Sequence, residues 1–202
     1  IDGNWKYRTR VLVRAPDAKK FNGTLVVEWA NVTAGQDIDF AFAESYEYLT
    51  REGYAVAVVS AQRVGVDQLK TWNPQRYGSL TTTVGNDDPK DGSKIDTCGG
   101  APACPGDALS WDIMTQVSKA LKDNAGDNKP LPDIKVEKVI ALGESQSAGR
   151  LSIYYNTIQP IYGFFDGFAF LDLARQLRHD LAVPAISVNS ESTADMFPAT
   201  TT

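Results

Sequence analysis

Histidine and cysteine are nearly missing from this sequence, in which one histidine and two cysteines occur among 202 residues. The histidine, His179, lies far along the chain from Cys98 and Cys104. Because a zinc site needs several such ligands close together, this composition disfavours a metal site. Residues 87–96 are acidic but lack the ligand spacing of a calcium-binding EF-hand loop, so we expect a solvated loop there and no metal.

A basic excess and a long apolar run are missing as well. Lys and Arg number 20 against 25 Asp and Glu, which gives a formal net charge of −5. Without a basic run, nucleic acid is not an expected partner. No apolar stretch approaches the length of a membrane span, so we expect no membrane partner either. With 43% hydrophobic and 22% charged residues, the composition is that of one globular domain over residues 1–202.

The two cysteines lie six residues apart in a segment rich in Gly and Pro. This spacing favours a disulfide between Cys98 and Cys104, which would indicate a secreted or periplasmic protein. The alternative is a pair of free thiols in the cytosol.

What the sequence does contain is an alternation of strand-like and helix-like segments. This alternation predicts an α/β fold with a doubly wound, mostly parallel sheet flanked by helices, in which the first strand is an outer antiparallel one. Residues 68–106 have no periodicity and are predicted to form a long loop insertion over one end of the sheet. Asp107 is expected to cap the helix that follows, and Pro160 to end the last long helix. The predicted strands are 7–14, 24–29, 54–60, 139–142, 165–171 and 184–188, and the predicted helices include 39–52 and 107–121.

Residues 136–151 contain the pattern with the clearest chemistry. A short apolar run meets Gly-Glu-Ser-Gln-Ser-Ala-Gly at residues 143–149 and continues into a helical pattern. This order predicts a strand, a tight turn with Ser145 at its apex, and a helix, as in the motif G-x-S-x-G. Ser147 departs from the second glycine of the motif, but it is small enough for a turn in which strand and helix nearly touch.

Two other interpretations of this turn compete. A dinucleotide-binding loop also joins a strand to a helix, but it needs glycine where Ser145 stands, and it normally belongs to the first strand–helix unit. The other alternative is a turn of small residues without chemistry.

Polar residues follow several of the predicted strands. In an open parallel sheet, working groups gather beyond the carboxyl ends of the strands. This rule predicts that one cleft is bordered by residues 31–35, 62–64, Ser145, Asp172 and residues 189–195.

Six segments together resemble the α/β-hydrolase superfamily, and more narrowly a group of bacterial proteins with an α/β-hydrolase domain. The resemblance implies an α/β-hydrolase fold and a serine hydrolase that cleaves carboxylic esters, a small-molecule substrate, without a cofactor. The segments are residues 26–35, 53–66, 76–80, 105–113, 141–151 and 180–191.

The resemblance also implies roles for individual residues. Ser145 is the expected nucleophile, and the oxyanion hole would combine the Gln146 amide with that of Thr33 or Val32. The sequence does not choose between the last two. Asn31, Gln62 and Glu144 are assigned to substrate binding around the cleft. The catalytic acid is expected after a late strand, with Glu191 ranked first, Asp195 second and Asp172 third.

The catalytic base is the missing part of this constellation. His179 precedes the strand predicted at 184–188, which places it at the wrong edge of the sheet, and it precedes Glu191, which breaks the usual order of the triad. We therefore expect a surface histidine there. The hypothesis is that these residues belong to a longer enzyme, in which a C-terminal segment or a second chain supplies the histidine.

Two alternatives to the esterase remain open. A hydrolase-like binding module with an impaired site would bind ligands without turnover. An acyltransferase would use the same acyl-enzyme on Ser145 but pass the acyl group to an alcohol.

Overall fold

A six-stranded sheet organises the chain in a computed structural model, which describes residues 5–82, 107–125, 129–131 and 133–196. The strand order is β1-β3-β2-β4-β5-β6. All neighbours pair in parallel except β1 and β3, which are antiparallel. The predicted α/β architecture with an outer antiparallel strand is confirmed. The strands are β1 (Val11–Arg14), β2 (Thr24–Trp29), β3 (Ala55–Val59), β4 (Lys138–Glu144), β5 (Gly167–Leu171) and β6 (Ala185–Val188).

Helices cover both faces of the sheet. Strands β2 and β3 are apolar almost throughout because each of their faces is covered. None of the helices in the described residues is long and apolar enough to cross a membrane. The helices are α1 (Phe40–Arg51), α2 (Arg63–Trp72), α3 (Pro74–Tyr77), α4 (Ser110–Asp123), α5 (Gln146–Ile153), α6 (Gln159–Tyr162) and α7 (Glu191–Met196).

The core is divided between the two faces by the alternation of side chains along each strand. On one face, α4 and α5 bury Ile113 and Leu151 against β2, β3 and β4. On the opposite face, α1 buries Ala41 and Leu49 against residues such as Val26. The sheet is therefore held from both sides, which fixes the loops at its carboxyl edge.

The start of the expected loop insertion is helical, so that part of the prediction is wrong. Helix α2 extends to Trp72 and α3 covers Pro74–Tyr77. Only three residues of α2 are buried, which makes its helical period weak in the sequence. Residues 83–106, including Cys98 and Cys104, lie outside the described residues.

Two expected helix ends also differ from the prediction. Asp107 does not cap α4, because the N-cap of that helix is Leu109. The Asp107 carboxylate instead accepts the first amide of α2, that of Arg63, at 2.7 Å. Pro160 does not end the last long helix. Residues Tyr154–Ile158 widen into a π-helical segment, and Pro160 then lies in the first turn of α6, where its missing N–H costs little.

The predicted tight turn between β4 and α5 is present. A Cβ at Gly143 would stand 3.0 Å from backbone atoms of Ser147 and Ala148, so the strand and the helix leave no room there for a side chain. Ser147 is 1% exposed, and its hydroxyl bonds to both the N–H and the C=O of Glu144 at 2.9 Å. Ser147 therefore closes the turn with its own hydrogen bonds where the motif has glycine.

A buried carboxyl group attaches α1 to the sheet. Glu28, in β2, is 1% exposed and accepts the amides of Ala41 and Phe42 at 3.0 and 2.9 Å. These amides belong to the first turn of α1 and have no acceptor within the helix. Burial raises the pKa of Glu28 to about 7, and the nearby carboxylates of Asp39 and Glu144 add to the rise.

The glycines on the two sides of the turn give a paired prediction. We expect Gly143→Ala to lower the free energy of unfolding by about 1–3 kcal/mol, because the new methyl meets backbone. Gly149→Ala is the control. Its methyl would be 3.5 Å from Arg175 Nε, an ordinary contact, and alanine is the better helix former by about 1 kcal/mol. Urea unfolding measures both variants, and equal losses would contradict the crowding at Gly143.

Glu28→Gln is expected to change how stability depends on pH. The folded protein holds the Glu28 proton up to a pKa of about 7, against 4.5 ordinarily. The free energy of unfolding that Glu28 contributes therefore falls as the pH rises through that window. We expect the variant to lose about 2 kcal/mol less than the wild type between about pH 5 and pH 8. Urea unfolding at several pH values measures this. Glu137→Gln, which alters an exposed glutamate, is the control. The prediction is contradicted if Glu28→Gln loses as much free energy of unfolding over this pH range as the wild type and the control do.

Candidate active site

The loops predicted to border one cleft do meet at the carboxyl edge of the sheet. The Asn31 side chain donates to the Glu144 carbonyl at 2.9 Å, which joins the end of β2 to the end of β4. Gln62, after β3, accepts from Gln146 at 2.9 Å. The Ser145 amide donates to the Leu171 carbonyl at 2.8 Å, which adds the end of β5. Residues far apart in the sequence therefore form one connected site.

Ser145 stands at the apex of the turn with an exposed side chain. Its backbone has φ 53° and ψ −112°, a region that residues with side chains rarely adopt. Such strain persists where the surroundings enforce it, and it clusters at functional sites. Here the close contact at Gly143 and the bonds from the Ser147 hydroxyl enforce it. The geometry presents the Ser145 hydroxyl to a ligand at the sheet edge.

Backbone amides near Ser145 provide candidate hydrogen-bond donors. Gln146 is the first residue of α5, where an amide has no acceptor in its own helix. The Val32 amide donates to the Gln146 side-chain oxygen at 3.4 Å, a long hydrogen bond. The Thr33 amide donates to the Asn31 side chain within its own loop at 2.9 Å. The Val32 amide is thus less firmly bonded than that of Thr33, and the Gln146 amide begins the helix next to Ser145.

Two of the residues assigned to substrate binding are buried. Asn31 is 1% exposed and Gln62 is 2% exposed. The Gln62 oxygen accepts both from Trp29 at 3.0 Å and from Gln146, and both ends of the Asn31 amide bond within the protein. These two side chains brace the loops around Ser145. No feature of the sequence distinguishes such a brace from a ligand contact.

Glu144, the third residue assigned to substrate binding, is partly exposed and precedes Ser145 in the chain. Burial, together with the nearby carboxylates of Glu44 and Asp172, raises its pKa to about 7. Its Oε2 atom is buried and has no hydrogen-bond partner among the described residues. A carboxyl group with a raised pKa and an unpartnered oxygen therefore lies in the residue next to Ser145.

The candidate acids lie beyond β5 and β6. Asp172, with φ 51°, directly follows β5, and its carboxylate accepts the Ser190 amide. That bond holds the pKa of Asp172 below its usual range. Glu191 opens α7 and is exposed, and Asp195 lies on the same helix, also exposed. Asp172 thus fixes the loop that leads to Glu191.

His179 is exposed in the connection that leads to β6. The neighbouring Arg178 bonds through its amide to the Asn156 side chain at 2.9 Å. Asn156 lies eleven residues beyond Ser145 along the same helical segment. At about 1.5 Å per residue this corresponds to roughly 16 Å. The structure places His179 away from the serine.

Two charged groups, Asp107 and Asp37, make long-range contacts that were not predicted from the sequence. Asp107 ties α2 to α5 through Arg63 and through Arg150, at 3.4 Å. Asp37 is buried beside Arg10. Charged residues in loops give no local signal for such contacts, because their partners are distant in sequence.

Comparison with solved structures finds a similar fold in serine hydrolase XC6422 of Xanthomonas campestris, described as lacking a lid. The identity is 10% and the TM-score 0.50, over 89% of this chain and 64% of that one. Esterase Est22 matches at 13% identity and a TM-score of 0.45, over 92% and 48%. Thermogutta terrifontis esterase 2 matches at 10% and 0.38, over 96% and 63%. The chain spans less than two thirds of each of these proteins.

A comparison with curated proteins finds no match. The signature of one protein family, described as the alpha/beta hydrolase domain, matches residues 2–202. That range includes the sheet, the turn at Ser145 and the loops that border it. The chain belongs to the alpha/beta hydrolase domain family.

Proposed function

We propose that this domain cleaves carboxylic esters as a serine hydrolase, through an acyl-enzyme on Ser145. The observation that supports it most directly is the exposed Ser145 side chain on a strained turn between β4 and α5. In this position a hydroxyl stands clear of the sheet with helix amides behind it.

The proposed reaction has two halves. The Ser145 oxygen attacks the ester carbonyl carbon while a base takes its proton, and the alcohol leaves with that proton. Water then attacks the acyl-enzyme, which releases the acid and returns the serine. The oxyanion formed in each half would accept from the amides of Gln146 and Val32. The loss of one such donor typically lowers turnover by about 10²–10³-fold.

We propose Glu191 as the acid that orients the base. Its exposed position at the start of α7 leaves its carboxylate accessible. The carboxylate of Asp172 is already bound to the Ser190 amide, which suits a role in fixing that loop. Asp195 remains the alternative on the same helix.

The base is proposed to be a histidine from polypeptide outside this sequence, either a C-terminal segment or a second chain. The reason is the position of His179, which is exposed and connected to the far part of the Ser145 helix. We also propose an extracytoplasmic location, which rests on the spacing of Cys98 and Cys104.

Covalent labelling tests the nucleophile. We expect a fluorophosphonate to add one label to the whole enzyme, which is this domain together with the polypeptide that supplies the histidine, and peptide mass spectrometry to place that label on Ser145. Wild type and variants are compared in that form. Ser145→Ala should abolish it. Ser79→Ala, which alters an exposed serine after α3, should be labelled like the wild type.

The outcomes separate the proposed esterase from its alternatives. A label that persists in Ser145→Ala, or a wild type that takes no label, would contradict the proposal; the second result would favour a binding module. If the wild type is labelled, offering alcohols beside water shows whether the acyl group goes to an acceptor instead.

A further inference from the structure

The loop that carries the Val32 amide is closed by a narrow neck. Asn31 and Ile38 exchange two backbone hydrogen bonds of 2.9 Å across its base. At its tip the Gly35 amide donates to the Val32 carbonyl at 3.0 Å. The tip residues 33–35 are exposed. We call residues 31–38 the donor loop.

One end of the donor loop is anchored to the turn at Ser145. The Asn31 side chain, which is 1% exposed, donates to the Glu144 carbonyl at 2.9 Å. Together with the long bond from the Val32 amide to the Gln146 side chain, this bond ties the start of the donor loop to the turn. Neither bond holds the far end of the loop.

The other end is anchored by a buried ionic cluster. The Asp37 side chain is 3% exposed, and its carboxylate accepts from Arg10 at 3.0 Å. The Ser60 hydroxyl donates to the same oxygen and accepts from Arg10 Nε at 3.2 Å. Arg10 immediately precedes β1 and Ser60 immediately follows β3. The cluster therefore ties the donor loop to two strands of the sheet.

Helix α2 closes the cluster from the remaining side. A Cβ at Gly65 would stand 1.7 Å from Asp37 Oδ1, so the carboxylate lies directly against the helix backbone. That oxygen has no hydrogen-bond partner among the described residues. A buried carboxyl oxygen without a hydrogen-bond partner is rare in native structures and calls for an explanation.

We propose that Asp37, held by Arg10 and Ser60, is a positioning residue that fixes the donor loop so that the Val32 amide faces the oxyanion. The inference rests on the proposed function. With Asn31 at one end and Asp37 at the other, the loop cannot pivot. A donor displaced by about 1 Å stabilises the transition state far less.

The test measures two properties of Asp37→Asn, which keeps the size of the side chain but removes its charge. We expect amide hydrogen exchange in peptides covering residues 31–38 to become about tenfold faster, while peptides from β4 exchange as in the wild type. We also expect the rate of phosphonate labelling of Ser145 to fall about tenfold or more, because this reaction uses the same oxyanion donors.

Asp39→Asn is the matched control. Asp39 lies two residues further on and pairs with Arg14, the last residue of β1, at 2.7 Å. Its side chain is 29% exposed, against 3% for Asp37. It also lies outside the neck. We expect this variant to change neither the exchange of the donor loop nor the labelling rate by more than about twofold, since exposed pairs contribute little.

If Asp37→Asn does not fold, Ser60→Ala replaces it. This variant removes both hydrogen bonds of the Ser60 hydroxyl, to Asp37 and from Arg10, but leaves the ion pair, so we expect a smaller effect in the same direction. The inference is overturned if donor-loop exchange is unchanged, if Asp39→Asn has the same effect, or if exchange rises without loss of labelling rate. A wild type that takes no label defeats the proposed function instead. Exchange in the loop then still decides whether the cluster holds it.

Discussion

The contact between the end of β4 and the start of α5 is the constraint on which the site depends. The contact is so close that a Cβ at Gly143 would stand 3.0 Å from the backbone of Ser147 and Ala148. A wider turn would let Ser145 relax to ordinary angles, at a gain of about 1–3 kcal/mol. The tight turn persists because α5 buries Ala148 and Leu151 completely in the core, so the helix cannot retreat from the strand.

Neutral amide side chains hold the parts of the site together. Asn31 and Gln146 bridge loops after β2 and β4, and Gln62 joins Trp29 to Gln146. An amide offers a donor and an acceptor on one short side chain, so it can satisfy two loops without burying a charge. Some charged groups form paired clusters, such as Arg10 with Asp37. The carboxyl groups of Glu144 and Asp172 lie beside the turn at Ser145.

The sequence predicts those parts of the fold that depend on local pattern. Strands β2 and β3 follow from continuous β-branched runs, and the turn at Ser145 follows from small residues around a serine. The prediction from sequence fails where a contact is long-range. Asp107 accepts the Arg63 amide at the start of α2, 44 residues away, and does not cap the helix beside it. No local sequence pattern indicates that contact. Pro160 misleads because a π-helical segment precedes it.

The structure also distinguishes two candidate donors, the amides of Val32 and Thr33, between which the sequence does not choose. The Thr33 amide is held at 2.9 Å by Asn31, whose other end is bonded to Glu144. Releasing the Thr33 amide would break this local turn and leave the buried Asn31 side-chain oxygen without a hydrogen bond. The Val32 amide is bonded at 3.4 Å to the side chain of Gln146. An incoming oxyanion can displace that oxygen at little cost, because the bond is long and the ionic acceptor is stronger. We therefore propose Val32, and not Thr33, as the second oxyanion donor beside the Gln146 amide.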